Sequence, residues 1–166
     1  MKQFFLSTLI IISSHFCAIC QNTKFKPAFS AVLDITKGPS LLKQCSRSTP
    51  SKVSKFWTLS QSDIDTLESN FQKIYSIRSE CCASSFKIDS LEYFAFQYIG
   101  VIIKGRKFIY INAFPFSEME MTKKYLKDFD PTKDPMMVCD GGNSFWGALF
   151  NIETKEFSSL SFDGDA

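Results

Sequence analysis

The sequence has almost no histidine. Its single histidine, His15, lies in the first 20 residues, a segment whose pattern predicts removal on export. A mature chain without histidine cannot form a Ser-His-Asp or Cys-His catalytic arrangement, and it lacks a ligand of the common catalytic zinc sites. No motif for another catalytic class, for a cofactor or for a metal stands out. The sequence therefore favours a protein that is not an enzyme and that carries no cofactor.

A strong excess of charge and a second long apolar run are also missing. The chain has 19 Lys and Arg residues against 17 Asp and Glu residues, which gives a net charge of +2. Proteins that bind nucleic acid usually carry a strong basic excess, and a membrane-spanning helix needs about 20 apolar residues. We therefore expect no nucleic-acid partner and no transmembrane segment in the mature chain.

The N-terminal residues predict export. Lys2 precedes a short apolar run over residues 4–12, and Ala18 and Cys20 suit the −3 and −1 positions of a cut before Gln21. This is the layout of a secretory signal peptide, here over residues 1–20. The mature protein is expected to be secreted or periplasmic.

Two alternatives to a cleaved, soluble product stay open. An uncleaved membrane anchor needs a longer apolar run than this one. A lipoprotein would carry its lipid on Cys20 or Cys17, although Ile19 fits poorly as the residue before a lipidated cysteine. Lipidation of Cys20 is therefore kept as the alternative localisation.

Four cysteines remain after the predicted cleavage: Cys45, Cys81, Cys82 and Cys139. An even number in an exported chain predicts two disulfide bonds. Because a bond between vicinal cysteines closes a strained eight-membered ring, we expect Cys81 and Cys82 to pair with the other two, in either order. The alternatives are that some thiols stay reduced and buried, or that the four hold zinc, for which the usual Cys-x-x-Cys pairs are absent.

Residues 21–56 read as an irregular N-terminal segment that belongs to one domain with an α+β region over 57–166. A helix is predicted at about 61–76, capped by Ser60 with Asp63 three residues later. Four apolar side chains recur at helical spacing and predict one buried stripe: Ile64, Leu67, Phe71 and Ile74.

The rest of the domain reads mainly as strands. Aromatic and β-branched runs predict strands at 91–103, 108–114, 136–139, 145–152 and 156–162. Residues 104–107 form the turn of the first hairpin, with Gly105 free to adopt a positive φ. A short helix over 117–129 is inserted between strands, with a capping box from Ser117 to Glu120 and with Met121, Tyr125 and Phe129 along one side.

This order predicts one main helix packed on a four- to five-stranded antiparallel sheet, which is an α+β fold. A cystatin-like arrangement fits the order as a fold-level analogy, and such an analogy does not imply function.

Between the elements, the acidic loop at 128–134 alternates oxygen ligands as a calcium loop does. Lys133 and Cys139 stand where an EF-hand needs Gly and Glu, so a solvated acidic loop is expected.

Basic, aromatic and turn residues supply a candidate ligand surface. Its members are Arg47, Trp57, Arg106, Asp140, Asn143 and Trp146. The alternative for the basic residues is a solvated surface, and the alternative for the two tryptophans is a place in the core.

The sequence thus predicts a small secreted or periplasmic binding or inhibitor-like module, with an unknown protein or glycan of the envelope as its ligand. One alternative is an envelope hydrolase that uses carboxylates, for example Asp140 with Glu92 or Asp163. Another is a structural or assembly protein of the cell surface, which would show a large exposed apolar patch or an open sheet edge.

Overall fold

A computed structural model describes residues 25–80 and 86–164. The predicted signal peptide and the vicinal cysteines Cys81 and Cys82 lie outside the described residues. The strands are β1 (Ser30–Val32), β2 (Val53–Trp57), β3 (Phe94–Ile103), β4 (Arg106–Pro115), β5 (Trp146–Asn151) and β6 (Glu156–Phe162). The helices are α1 (Gly38–Leu41), α2 (Gln61–Glu68) and α3 (Phe116–Tyr125), with 3-10 turns at Ile35–Lys37, Phe71–Ser76 and Gly142–Ser144. None of the helices in the described ranges has the length and apolarity that a membrane crossing requires.

The α+β class is confirmed, but the sheet is mixed and has six strands, in the order β1-β3-β4-β5-β6, with β2 also paired to β3. β1 runs parallel to β3 beside Phe96–Tyr98, and β2 runs antiparallel to it beside Gly100–Ile103. Two short strands therefore share one edge of β3. Both begin in the segment predicted to be irregular. β1 and β2 have too few apolar residues to be recognised as strands from the sequence. They join the sheet by pairing with the distant strand β3 and not through local strand propensity.

The main helix is shorter than predicted. Its capping box is formed, with the Ser60 amide donating to Asp63 Oδ2 at 2.8 Å and the Asp63 amide donating to Ser60 Oγ at 3.4 Å. The helix ends at Glu68 because the side chains of Ser69 and Asn70 both donate to the Thr66 carbonyl, at 3.0 and 2.8 Å, and compete with helical bonding. The chain continues as a 3-10 turn, which still buries Phe71 and Ile74 as the stripe requires; Leu67 is buried too, and Ile64 is half-buried.

Three details of the later chain were predicted wrongly: the cap of the second helix, its buried side and a strand at 136–139. Helix α3 begins after Pro115 with no side-chain cap, so the Ser117–Glu120 capping box is not formed. Met119 is its buried residue, whereas Met121 and Tyr125 are exposed. Residues 136–139 form no strand, because they lie across the sheet face as a covering segment and not within the sheet. The strand at 156–162 was predicted with its observed bounds.

Both faces of the sheet are covered, which explains why its central strands are apolar at almost every position. On the first face, α2 and the turn after it pack on a large aromatic cluster, in which Phe71 lies 4.9 Å from Phe96, ring centre to ring centre. The second face carries two smaller apolar clusters, one around Ile99 and Tyr110 and the other around Phe114. Residues 41–47 and 129–138 lie over this second face.

A disulfide bond links the covering segment 41–47 to Cys139, the residue directly after the covering segment 129–138. Cys45 is bonded to Cys139, with a Cα–Cα distance of 5.3 Å. Hydrogen bonds run beside it, since Gln44 Nε2 donates to the Met136 carbonyl at 3.3 Å. The predicted pairing is therefore wrong: Cys45 and Cys139 are bonded to each other and not to Cys81 and Cys82. Spacing along the chain could not reveal that these two segments meet.

Candidate functional site

An open cleft of about 650 Å³ lies at the end of the sheet where β3 begins and β4 ends. Its walls combine aromatic and apolar side chains with almost as many polar ones. The lining residues that matter most are Phe86, Ile88, Tyr93, Phe94, Asn143 and Phe162. A concave surface of this composition is the usual form of a ligand site.

Core contacts hold the aromatic walls in place. The Phe94 ring packs edge-on against the buried Trp146 at 5.6 Å, and Phe86 packs edge-on against Phe162 at 6.0 Å. The backbone at Tyr93 is fixed by a hydrogen bond from the Phe116 amide to its carbonyl at 2.9 Å. The Tyr93 side chain itself stays 73% exposed. The cleft therefore presents a tyrosine ring to solvent from a hydrogen-bonded backbone position.

The polar groups of the cleft are available to a ligand. Within the described ranges, the side chains of Asn143 and Ser144 and the hydroxyl of Tyr93 have no hydrogen-bonding partner. Asn143 and Ser144 lie in the turn Gly142–Ser144, which Gly142 opens with a φ of +60°. Lys87 and Asp89 form an ion pair at 3.9 Å, so their charges cancel.

Two residues of the predicted ligand surface are buried, which corrects the prediction for them. Trp146 is fully buried because it begins β5, which lies between β4 and β6. Arg47 lies beneath the segments that cover the second face, where Nη1 donates to Asp163 Oδ1 at 2.8 Å and Nη2 donates to Asn112 Oδ1. Its side chain is 1% exposed, so neither residue can meet a ligand.

The other four residues of that surface lie at two opposite ends of the sheet. Asn143 lines the aromatic cleft, and the exposed Asp140 precedes the same turn. Arg106 and Trp57 lie at the far end, beside the β3–β4 hairpin turn. Trp57 is half-buried, and its Nε1 donates to the Phe108 carbonyl at 3.2 Å. The six predicted residues therefore do not form a single surface.

A buried polar row, which was not predicted, crosses the second face of the sheet. Asn112 Nδ2 donates to Gln97 Oε1 at 3.1 Å, and the row continues through Arg47 to Asp163. The signal was present, because Asn112 is the one polar residue within the predicted strand 108–114. Burial raises the pKa of the Asp163 carboxyl, and the nearby Arg47 partly opposes that rise. A row with this degree of burial is structural.

The acidic loop lines a second open cavity, of about 660 Å³. Asp130 accepts hydrogen bonds from Lys133 at 2.8 Å and from the Thr132 amide at 2.9 Å, and these donors hold its pKa below the ordinary range. Asp134 accepts from the Asp130 amide at 3.1 Å and from Lys37 at 3.1 Å, which lowers its pKa as well. The described residues contain no group of three metal-ligating side chains placed to hold an ion. The carboxylates of Asp130 and Asp134 therefore accept hydrogen bonds from within the loop and from Lys37.

A scan of protein-family models found no match to this chain, and searches of curated proteins and of solved structures found no significant match.

Proposed function

We propose that the chain is an exported binding protein and that the aromatic cleft is its ligand site. The observation that carries this proposal is the Tyr93 ring, which is 73% exposed at the mouth of a cleft whose other aromatic walls are anchored in the core. Tyrosine is well suited to such a place, because it offers a large apolar face, a hydroxyl and little conformational freedom to lose on binding.

The charges and the backbone of the cleft favour a neutral ligand that is rich in hydroxyl groups. Lys87 and Asp89 neutralise each other, and the amide of Asn143 can both donate and accept hydrogen bonds. An extended peptide would need unpaired backbone groups to add itself as a strand. Here the backbone around Tyr93 and Phe94 is already bonded, to Phe116 and Leu91. A neutral glycan of the envelope is therefore the favoured ligand, and a protein is the alternative.

The hydrolase alternative has less support. A carboxylate mechanism needs one acid whose pKa is raised and which reaches the substrate. Asp163 has a raised pKa, but its side chain is buried against Arg47. The accessible carboxyls of the acidic loop, Asp130 and Asp134, have lowered pKa values and so stay ionised.

Export is part of the proposal and rests on the N-terminal pattern around Lys2 and the small residues Ala18 and Cys20. Mass spectrometry of the protein recovered outside the cytoplasm is expected to give a chain that begins near Gln21. A full-length chain kept in the cytoplasm would contradict export. A diacylated Cys20 would show the lipoprotein instead.

The cleft is tested by presenting the purified mature protein to a broad glycan array and to a peptide library. Tyr93→Ala is compared with Tyr125→Ala, a matched control because Tyr125 is 70% exposed and does not line the cleft. Loss of one stacked ring is expected to weaken binding by about tenfold, and the control is expected to bind as the wild type does. Absence of any ligand, or an equal effect of both variants, would reject the cleft as the site.

A further inference from the structure

Five basic side chains gather at the end of the sheet opposite the aromatic cleft. They lie in and beside the β3–β4 turn and on the adjoining strand β2, and all are exposed: Lys52, Lys55, Lys104, Arg106 and Lys107. We call this surface the basic hairpin end. β3 begins at the cleft and ends here, so a strand of its 10 residues separates the two surfaces by about 30 Å.

The register of the strands brings these cations together. Ile102 in β3 pairs with Lys55 in β2 on one side and with Lys107 in β4 on the other. The two lysines therefore lie on either side of the same residue, in one row across the sheet. Arg106 pairs with Ile103 at the end of the hairpin. Lys104 lies in the turn itself, where its φ of +50° follows from the tight reversal. The cluster is therefore built on paired strands and does not depend on the path of a long loop.

None of the five cations has an acidic partner within the part of the chain that the structure describes. The ion pairs seen there use other cations, such as Lys73, Lys123 and Lys133. Lys107 instead lies over the Trp57 ring, with Nζ 4.5 Å from the ring centre. The net charge of the whole chain is only +2, so without these five cations it would be −3. This end of the sheet therefore carries a cluster of positive charge with no acidic side chain bonded to it, and such a cluster raises the local concentration of anions.

We propose that the basic hairpin end binds an acidic polysaccharide, carboxylated or sulfated. Charge complementarity supplies the attraction, and the row of lysines beside the half-buried Trp57 offers a charged and partly aromatic track for a linear chain of anionic sugars. A membrane surface fits less well, because proteins that lie on membranes also insert apolar side chains. The large exposed apolar residues of the described chain all lie elsewhere, among them Tyr93, Met121 and Leu126.

The test measures binding of the mature protein to polygalacturonate, with dextran as the neutral polymer, phosphatidylglycerol vesicles as the membrane and a DNA duplex as the nucleic acid. The patch variant carries Lys55→Gln, Lys104→Asn and Arg106→Gln. The control variant carries Lys123→Gln, Lys124→Gln and Lys127→Gln, which removes the same charge from α3 and the residues after it. Thermal unfolding of both variants checks that each is folded.

The wild type and the control are expected to bind polygalacturonate at low salt, and the patch variant to bind it about tenfold more weakly or not at all. Binding should weaken as salt is added, because the contacts are exposed to solvent, and dextran should not bind. The inference is overturned if polygalacturonate does not bind, if the two variants weaken binding equally, or if vesicles or DNA bind more tightly than polygalacturonate does. The aromatic cleft is unchanged in both variants, so its own test is independent of this one.

Discussion

Replacing Arg47 with methionine tests how far the buried polar row stabilises the fold. The substitution keeps most of the side-chain volume and removes the guanidinium that faces Asp163 at 2.8 Å, in a place where the two side chains are 1% and 0% exposed. A carboxylate left without its partner in the interior costs about 3–5 kcal/mol of unfolding free energy. Asn112 loses a hydrogen bond in the same change.

A domain of this size has a total stability of about 5–15 kcal/mol, so this loss is a large fraction of it. We expect the midpoint of thermal unfolding to fall by about 6–20 °C. Thermal unfolding gives this midpoint and unfolding in guanidinium chloride gives the free energy, both followed by circular dichroism with the disulfide intact. The double variant with Asp163→Leu should recover most of the loss, because it removes both charges.

The loss should also depend on pH, with a definite sign. In the wild type, burial raises the pKa of Asp163 above its ordinary value of 3.8, and loss of Arg47 raises it further. An acid whose pKa is higher in the folded chain stabilises the fold when protonated, and that contribution is lost as pH rises through the folded pKa. The difference between Arg47→Met and wild type is therefore largest at pH 7 and narrows as the pH falls towards 4. A loss below about 1 kcal/mol at pH 7, or a difference that stays constant with pH, would refute this reasoning.

Two further predictions concern the core and the covalent link. Leu67→Ala is expected to lower the unfolding free energy by about 2–5 kcal/mol, because the side chain is fully buried. Ile64→Ala, at a half-buried site, should lower it less. Equal losses of unfolding free energy in the same denaturation assay would contradict the packing of α2. Joint replacement of Cys45 and Cys139 with serine should cost roughly 2–5 kcal/mol, since the bond spans a sequence separation of 94. Non-reducing peptide mapping should recover these two cysteines in one linked peptide, and a map that joins either to another cysteine would show the pairing to be wrong.

Features set by local patterns could be predicted from the sequence. The capping box at Ser60, the stripe through Leu67, Phe71 and Ile74 and the last strand all depend on residues within one or two turns of each other. The end of α2 was missed because the side chains of Ser69 and Asn70 compete with the helical bonds, and a periodic apolar stripe does not show that competition.

Features set by distant contacts could not be predicted in this way. β1 has only three residues and joins the sheet through β3, more than sixty positions later. Arg47 was placed on the surface because arginine usually lies there, and only the meeting of residues 41–47 with the second face of the sheet buries it. The aromatic cleft was missed for another reason: Tyr93 lay within the predicted strand 91–103, and its exposure depends on where the sheet ends.

The bond between Cys45 and Cys139 turns the middle of the chain into a closed covalent circle. Strands β2, β3 and β4 and helices α2 and α3 all lie inside the circle, whereas β5 and β6 follow it. One cut of the backbone anywhere between these cysteines leaves both pieces joined, including a cut by trypsin at the exposed Lys104 or Arg106 of the hairpin. A molecule nicked there would keep its two pieces at high effective concentration, which favours retention of the paired sheet.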